Sequence, residues 1–215
     1  MPKVFVAVPN QGYVIAQLAE VLTRWAGKWG DALRVYAPPY LFPIDLARNV
    51  CVREFLKGDW EYLLFVDSDV EPPSNALEVL LAHDRDIVSA MVPTAKKDVE
   101  GYLWPIPSAY KRHGKELLPY FGEGLAQVDA VGAGCLLVKR VVFEKLPAPW
   151  FKLEYNGNLT EITRGEDFYF SDQARMHGFS IWVDYNVRCS HYTRHNLAAS
   201  MGTLLKTGAY QAIMS

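Results

Sequence analysis

The stretch Tyr62-Leu63-Leu64-Phe65-Val66-Asp67-Ser68-Asp69-Val70-Glu71-Pro72-Pro73 constrains the fold more than any other part of the chain. Apolar residues run unbroken from Leu63 to Val66 and stop at an aspartate. Such a run suits a strand buried on both faces, as in the interior of a parallel sheet. Pro72 and Pro73 cannot extend the ladder and suit the first turn of a following helix, expected over Pro73–Ala82. Asp67 and Asp69 are thereby placed at the carboxyl end of a central strand, where open α/β sheets bind their ligands. Two carboxylates two positions apart, on backbone that has left the ladder, can converge on one hard cation. Such a cation takes oxygen ligands and is commonly shared with substrate phosphates. Taken alone, Asp-x-Asp is more often a solvated turn or a helix cap. The strand before it and the helix signal after it supply the context a metal site needs.

Alternation of strands and helices continues on both sides of this segment. Lys3–Val8, Ala32–Tyr36 and Asp86–Met91 read as strands, and Val14–Ala26 and Ile44–Leu56 as helices, which argues for βαβ units and a mostly parallel sheet. From Lys97 to Gln127 the chain is rich in Tyr, Trp, Pro and Gly and reads as irregular strands and loops, where binding residues often sit. Val128–Val138 reads as two short strands broken by glycines, followed by a short helix over Arg140–Lys145. A helix over Glu166–His177 should end at Gly178. Ser180–Val183 and Val187–His191 are read as extended.

Composition excludes several classes. With 215 residues, 50% hydrophobic and 21% charged, the chain is expected to be an ordinary globular protein with one sizeable core. A net charge of −2 leaves no basic footprint for nucleic acid. No apolar run approaches the roughly 18 residues of a membrane span. Met1-Pro2-Lys3-Val4-Phe5 lacks the layout of a signal peptide. Cys51, Cys135 and Cys189, odd in number and far apart, read as reduced thiols, and the expected location is cytoplasmic.

Other motifs are modest one by one. Glu166-Asp167 could be no more than favourable charge on a helix dipole. A lone His such as His191 is more often a core or surface residue than a ligand. Gly132-Ala133-Gly134 reads most safely as a loop passing close to something. Their order carries more. Asp67-Ser68-Asp69, then Val131-Gly132-Ala133-Gly134-Cys135-Leu136-Leu137-Val138-Lys139-Arg140, then Gly165-Glu166-Asp167-Phe168, then His191, resembles the GT-A glycosyltransferases, family 2-like enzymes most of all. Asp45-Leu46-Ala47-Arg48-Asn49 resembles their Ala-Arg-Asn segment. The likeness spans roughly residues 3 to 191.

The resemblance implies a Rossmann-like α/β fold: a mostly parallel sheet flanked by helices, with a smaller mixed part on the acceptor side. It implies a single catalytic domain, with a nucleotide-binding half over residues 1–95, an acceptor and catalytic half over 96–191, and a tail over 192–215. The donor would be a nucleoside-diphosphate sugar and the acceptor a saccharide or other hydroxyl. Mn²⁺ or Mg²⁺ would be held by Asp69, His191 and Asp67. Pro9, Asn10, Arg48, Asp67, Ser68 and Asp69 would meet the nucleotide, with Asp167, or Glu166 beside it, as base. Trp104, Gly132 and Gly134 would face the sugar or acceptor. Many members carry an acidic base-reading residue after the second strand, where this chain has Val35-Tyr36-Ala37-Pro38.

Chemistry is consistent with one carboxylate base. A diphosphate leaving group assisted by a cation needs no carboxylic acid, unlike the alkoxide lost in glycoside hydrolysis. Tyr102, Trp104, Trp150 and Tyr155 could stack on sugar faces or belong to the core. Lys96 and Lys97 read as a solvated pair. Two other functions compete with the transferase. A sugar-nucleotide nucleotidyltransferase would carry a Gly-rich basic loop after the first strand, and Val8-Pro9-Asn10-Gln11-Gly12-Tyr13 lacks one. A non-catalytic nucleotide- or sugar-binding module would have no need of Asp67, Asp69, Asp167 and His191 together.

Overall fold

A computed structural model describes residues 1–193. The first half alternates: β1 (Val4–Ala7), α1 (Ala16–Trp29), β2 (Leu33–Tyr36), α2 (Ile44–Lys57), β3 (Tyr62–Val66), a short β4 (Val70–Glu71), α3 (Ala76–Ala82) and β5 (Ile87–Met91). Hairpins follow, β6 (Pro93–Lys97) with β7 (Leu103–Pro107) and β8 (Ala109–His113) with β9 (Glu116–Pro119). Next come β10 (Leu125–Val128), β11 (Ala130–Val131), β12 (Cys135–Lys139) and α4 (Arg140–Lys145). A third hairpin, β13 (Glu154–Tyr155) and β14 (Ile162–Arg164), precedes α5 (Glu166–Met176), β15 (Ile181–Arg188) and β16 (Ser190–His191).

The central sheet has seven strands in the order β10-β15-β5-β12-β3-β1-β2. Strands β2, β1 and β3 are parallel, and so are β5 and β15. Between the two groups β12 runs antiparallel to both neighbours, and β10 is antiparallel at the edge. The sheet is therefore mostly parallel, as the sequence predicts, with a reversed strand at its centre that the sequence does not announce. Side chains alternate across it. Leu63 and Phe65 face one layer with Cys51, Val52, Phe55, Phe143 and Phe170 from α2, α4 and α5. Leu64 and Val66 face the other, with Leu18, Val21, Trp25, Leu77 and Leu80 from α1 and α3. Burial on both faces explains the unbroken apolar spelling of β3.

Two expectations are corrected. The helix after the aspartates starts at Ala76, not Pro73, because Val70-Glu71 is drawn into a two-stranded ladder with Ser190-His191. Its Pro73 carbonyl accepts from Ala76 N–H (2.9 Å) and opens the helix instead. The Val128–Val138 segment forms three strand pieces, since Val128 closes β10 before the chain turns into β11. The Lys97–Gln127 stretch, read as irregular strands and loops, holds β7, β8 and β9, with β7 closing a hairpin that opens at Pro93. Helix α5 does stop at Gly178, whose φ of +84° is the left-handed geometry a helix end favours. Among the described residues, no helix is long and apolar enough to cross a membrane. All three cysteines are free and buried.

Candidate active site

A cleft of ≈ 260 Å³ opens at the carboxyl ends of β1 and β3, lined by the Pro9-Asn10-Gln11 loop, Tyr13, Leu41, Phe42, Ile44, Asp67, Ser68, Asp69 and His191. Backbone bonds build its acidic wall. Asp67 N–H reaches the Gly134 carbonyl (3.0 Å), and Val70 N–H reaches Asp67 O (3.0 Å), which turns the chain directly after β3. Ser68 O accepts from Ile15 N–H (3.0 Å) ahead of α1, which fixes the turn to the neighbouring helix.

His191 comes to this turn through the β4–β16 ladder, where it pairs with Val70 and Ser190 pairs with Glu71. Tyr192 N–H adds a bond to Asp69 O (2.9 Å). His191 Nδ1 bonds the Pro93 carbonyl (2.8 Å), so the proton sits there in the neutral ring and the Nε2 lone pair faces Asp69 Oδ2 at 3.5 Å. Protonated at Nε2 as well, the ring donates to the Asp69 carboxylate, and that hydrogen bond raises His191 above its usual range and lowers Asp69.

These donors fit a hard or borderline divalent cation. Adjacent ligands on an octahedral ion with bonds of about 2.1 Å lie about 3 Å apart, close to the observed separation. Among the described residues, no group of three or more His, Cys, Asp and Glu side chains gathers to hold a metal alone. A two-ligand site that leaves its other positions to phosphate oxygens and water is how Mg²⁺ is commonly bound.

Across the glycine loop lies the second carboxylate. A Cβ on Gly134 would stand 3.4 Å from Asp67 Oδ2, and one on Gly132 would stand 3.6 Å from Asp167 Oδ2. The loop thus runs between the two acids, and its lack of side chains lets both approach it. At the start of α5, Asp167 Oδ1 accepts from Phe168 N–H (2.8 Å). Burial first, and the neighbouring Glu166 charge next, push Asp167 up to about 7. Burial also raises Asp67, against the pull of the Arg48 guanidinium.

Several residues play a part other than the one expected. Arg48, read as a nucleotide contact, is 3% exposed and does not line the cleft. Its donors go to Asp67, Glu166 and the Ala133 carbonyl. The sequence holds a signal for this: Arg48 shares one helical face with Cys51, Val52 and Phe55, all buried. Asn10 lines the cleft, yet its Nδ2 is taken by the Val8 and Pro38 carbonyls (3.0 and 3.1 Å) and its Oδ1 by Gly12 N–H, so it shapes the loop. Asn49 clamps the chain beyond α4 by accepting from Trp150 and Phe151 N–H and donating to Phe151 O.

Trp104 Nε1 donates to Asp98 Oδ2 (2.9 Å) within its own hairpin. Trp150 belongs to the core, with Nε1 on the Phe143 carbonyl (3.0 Å). Tyr155 lies 48% exposed on β13, and Lys96 and Lys97 are exposed on β6. The aromatic residues Tyr13 and Phe42, which line the cleft, were not singled out by sequence; they fall between elements, where periodicity says nothing. Of the expected tail, only Tyr192 and Thr193 are described, and residues 194–215 lie outside the described part.

Comparison with known proteins supports the architecture. No protein-family model matches the sequence, and no curated protein matches it. Among solved structures, A197 from STIV aligns with a TM-score of 0.62 at 20% identity, covering 89% of this chain and 86% of that one. GalNAc-T7, solved with UDP, GalNAc and Mn²⁺, aligns at 0.52 and 14% identity over 90% of this chain and 44% of its own. S. aureus TarS 1–349 in complex with UDP-GlcNAc aligns at 0.53 and 16% identity, covering 90% of this chain and 59% of that one. The chain therefore spans about half the length of these two GT-A glycosyltransferases and most of A197. At such identities the common property is the arrangement of strands and helices: the chain has a GT-A-like fold.

Proposed function

We propose that this protein is a glycosyltransferase that moves a sugar from a nucleoside-diphosphate donor to an acceptor hydroxyl. The observation that carries the reading is the pairing of Asp69 with His191 at the rim of the cleft, with Asp167 across the glycine loop and tuned to about 7. Solved complexes of GalNAc-T7 with UDP and Mn²⁺ and of TarS with UDP-GlcNAc support it by analogy of fold.

In this reading the donor's nucleoside would lie along Pro9, Gln11, Tyr13 and Phe42, and Asp69 and His191 would hold a divalent cation. When bound, that cation supplies charge neutralisation for the departing diphosphate. Asp67, anchored by Arg48, fixes the turn that presents Asp69. The acceptor hydroxyl approaches from the Gly132 side and gives its proton to Asp167 as its oxygen attacks the anomeric carbon. Attack opposite the leaving group inverts the anomeric configuration. Glu166 is held by the Arg48 guanidinium, which supports Asp167 over Glu166 for the proton-accepting role in this reading.

A panel of nucleoside diphosphates with and without Mn²⁺ tests donor binding. The melting temperature is expected to rise with at least one nucleotide only when the cation is present, since ligands that bind the native state stabilise it by mass action. Equal shifts without the cation, or none with any nucleotide, would count against the reading.

A further inference from the structure

The two segments that carry the site's carboxylates, and the glycine loop, meet at one buried cation. Arg48 Nη2 donates to Asp67 Oδ1 and Oδ2 (2.9 and 3.3 Å), Nε to Glu166 Oε1 (3.1 Å) and Nη1 to Ala133 O (3.4 Å). Phe65 and Phe151 lie against the guanidinium, with ring centroids 5.4 and 6.0 Å from its carbon. All three nitrogens point into protein. The partners are the end of β3, the glycine loop and the first turn of α5, the last of which also bears Asp167.

We propose that Arg48 is a positioning residue, fixing the donor-side turn at Asp67 relative to the acceptor-side helix start at Glu166-Asp167, with Glu166 as its anchor. The proposal rests on the transferase reading above. A guanidinium suits this task because its planar fork directs bonds to several acceptors at once, whereas an ammonium is a point charge on a flexible stem. Buried charge also makes the link hard to lose: without Arg48, Asp67 and Glu166 face each other with no cation between them. A displacement of about 1 Å between donor and base can cost about a hundredfold in rate.

The test uses Arg48→Lys, Glu166→Gln and the double variant, with turnover and Mn²⁺-dependent nucleotide affinity measured in each. Arg48→Lys is expected to lower kcat about a hundredfold and Glu166→Gln about tenfold, with nucleotide affinity within about threefold of wild type. Because both break one link, the double variant should fall no more than about threefold below Arg48→Lys. A double variant about a thousandfold down, as independent effects would give, overturns the proposal. So does nucleotide affinity falling in step with kcat, which would make Arg48 a ligand contact. If Arg48→Lys does not fold, Glu166→Gln decides alone: reduced kcat with affinity kept supports the link, and unchanged kcat overturns it. Absence of turnover in the wild type would instead fail the transferase reading, and the proposal with it.

Discussion

Replacing Asp167 by asparagine is expected to lower turnover by about two to four orders of magnitude while donor affinity changes by less than about threefold. Asparagine keeps the shape of the side chain and loses the capacity to take a proton. In the proposed reading donor contacts lie elsewhere, on the β1 loop and the Asp69–His191 pair that line the cleft. A pKa raised to about 7, chiefly by burial, suits Asp167 to the proposed base role at neutral pH. Wild-type turnover should therefore rise with pH through about 7 and level off above it, and the variant should lose that limb. Stability moves the other way. The folded carboxyl keeps its proton between its ordinary value of 3.8 and about 7, whereas the unfolded one has released it. Native stability conferred through this residue thus falls as pH rises across that window. Asp167→Asn should melt higher than wild type above pH 7 and show no such gain below pH 4. Product stereochemistry is a further check, an α-linked donor giving a β-linked product. Retention, or donor affinity lost along with turnover, would remove Asp167 from the base role.

Asp69→Ala is expected to reduce Mn²⁺-dependent nucleotide affinity by about a hundredfold or more, because a diphosphate has little affinity for an acidic wall without its counter-ion. Fold should survive. Asp69 is partly exposed, and its link to His191 at 3.5 Å is of the kind that contributes little stability. The turn keeps its backbone bonds, Asp67 N–H to Gly134 O and Tyr192 N–H to Asp69 O, neither of which needs the side chain. Calorimetric titration of the nucleotide, with the cation and with a chelator, reads the effect. Affinity that still depends on Mn²⁺ in the variant would place the cation elsewhere.

How far sequence reaches can be judged from particular elements. Strand β3 was legible because burial on both faces spells an unbroken apolar run. Strand β12 is spelled the same way by Cys135-Leu136-Leu137-Val138, but direction is set by long-range pairing that no local pattern records. Hairpin β6–β7 is hidden because an exposed two-stranded ribbon carries weak alternation, and Pro93, Pro105 and Pro107 interrupt it, while β8–β9 is completed by β11 through long-range pairing. Motif order names Asp69 and His191 together, and the short ladder that brings them close pairs Val70 with His191 and Glu71 with Ser190, long-range partners that spacing cannot express. Arg48 was misplaced for a different reason. The resemblance of Ala47-Arg48-Asn49 to a family segment implies a nucleotide contact, whereas the helical register of Arg48 with Cys51, Val52 and Phe55 points inward, and register decides where the side chain lies.

Release of nucleoside diphosphate from a panel of nucleotide sugars, followed by ³¹P NMR with Mn²⁺ and with excess chelator, tests the central claim most directly. Transfer to water should proceed slowly with at least one donor, stop on chelation and be nearly absent in Asp167→Asn. Donors left intact by the wild type in the presence of Mn²⁺, despite bound nucleotide, or release at equal rates in the wild type and Asp167→Asn, would contradict it.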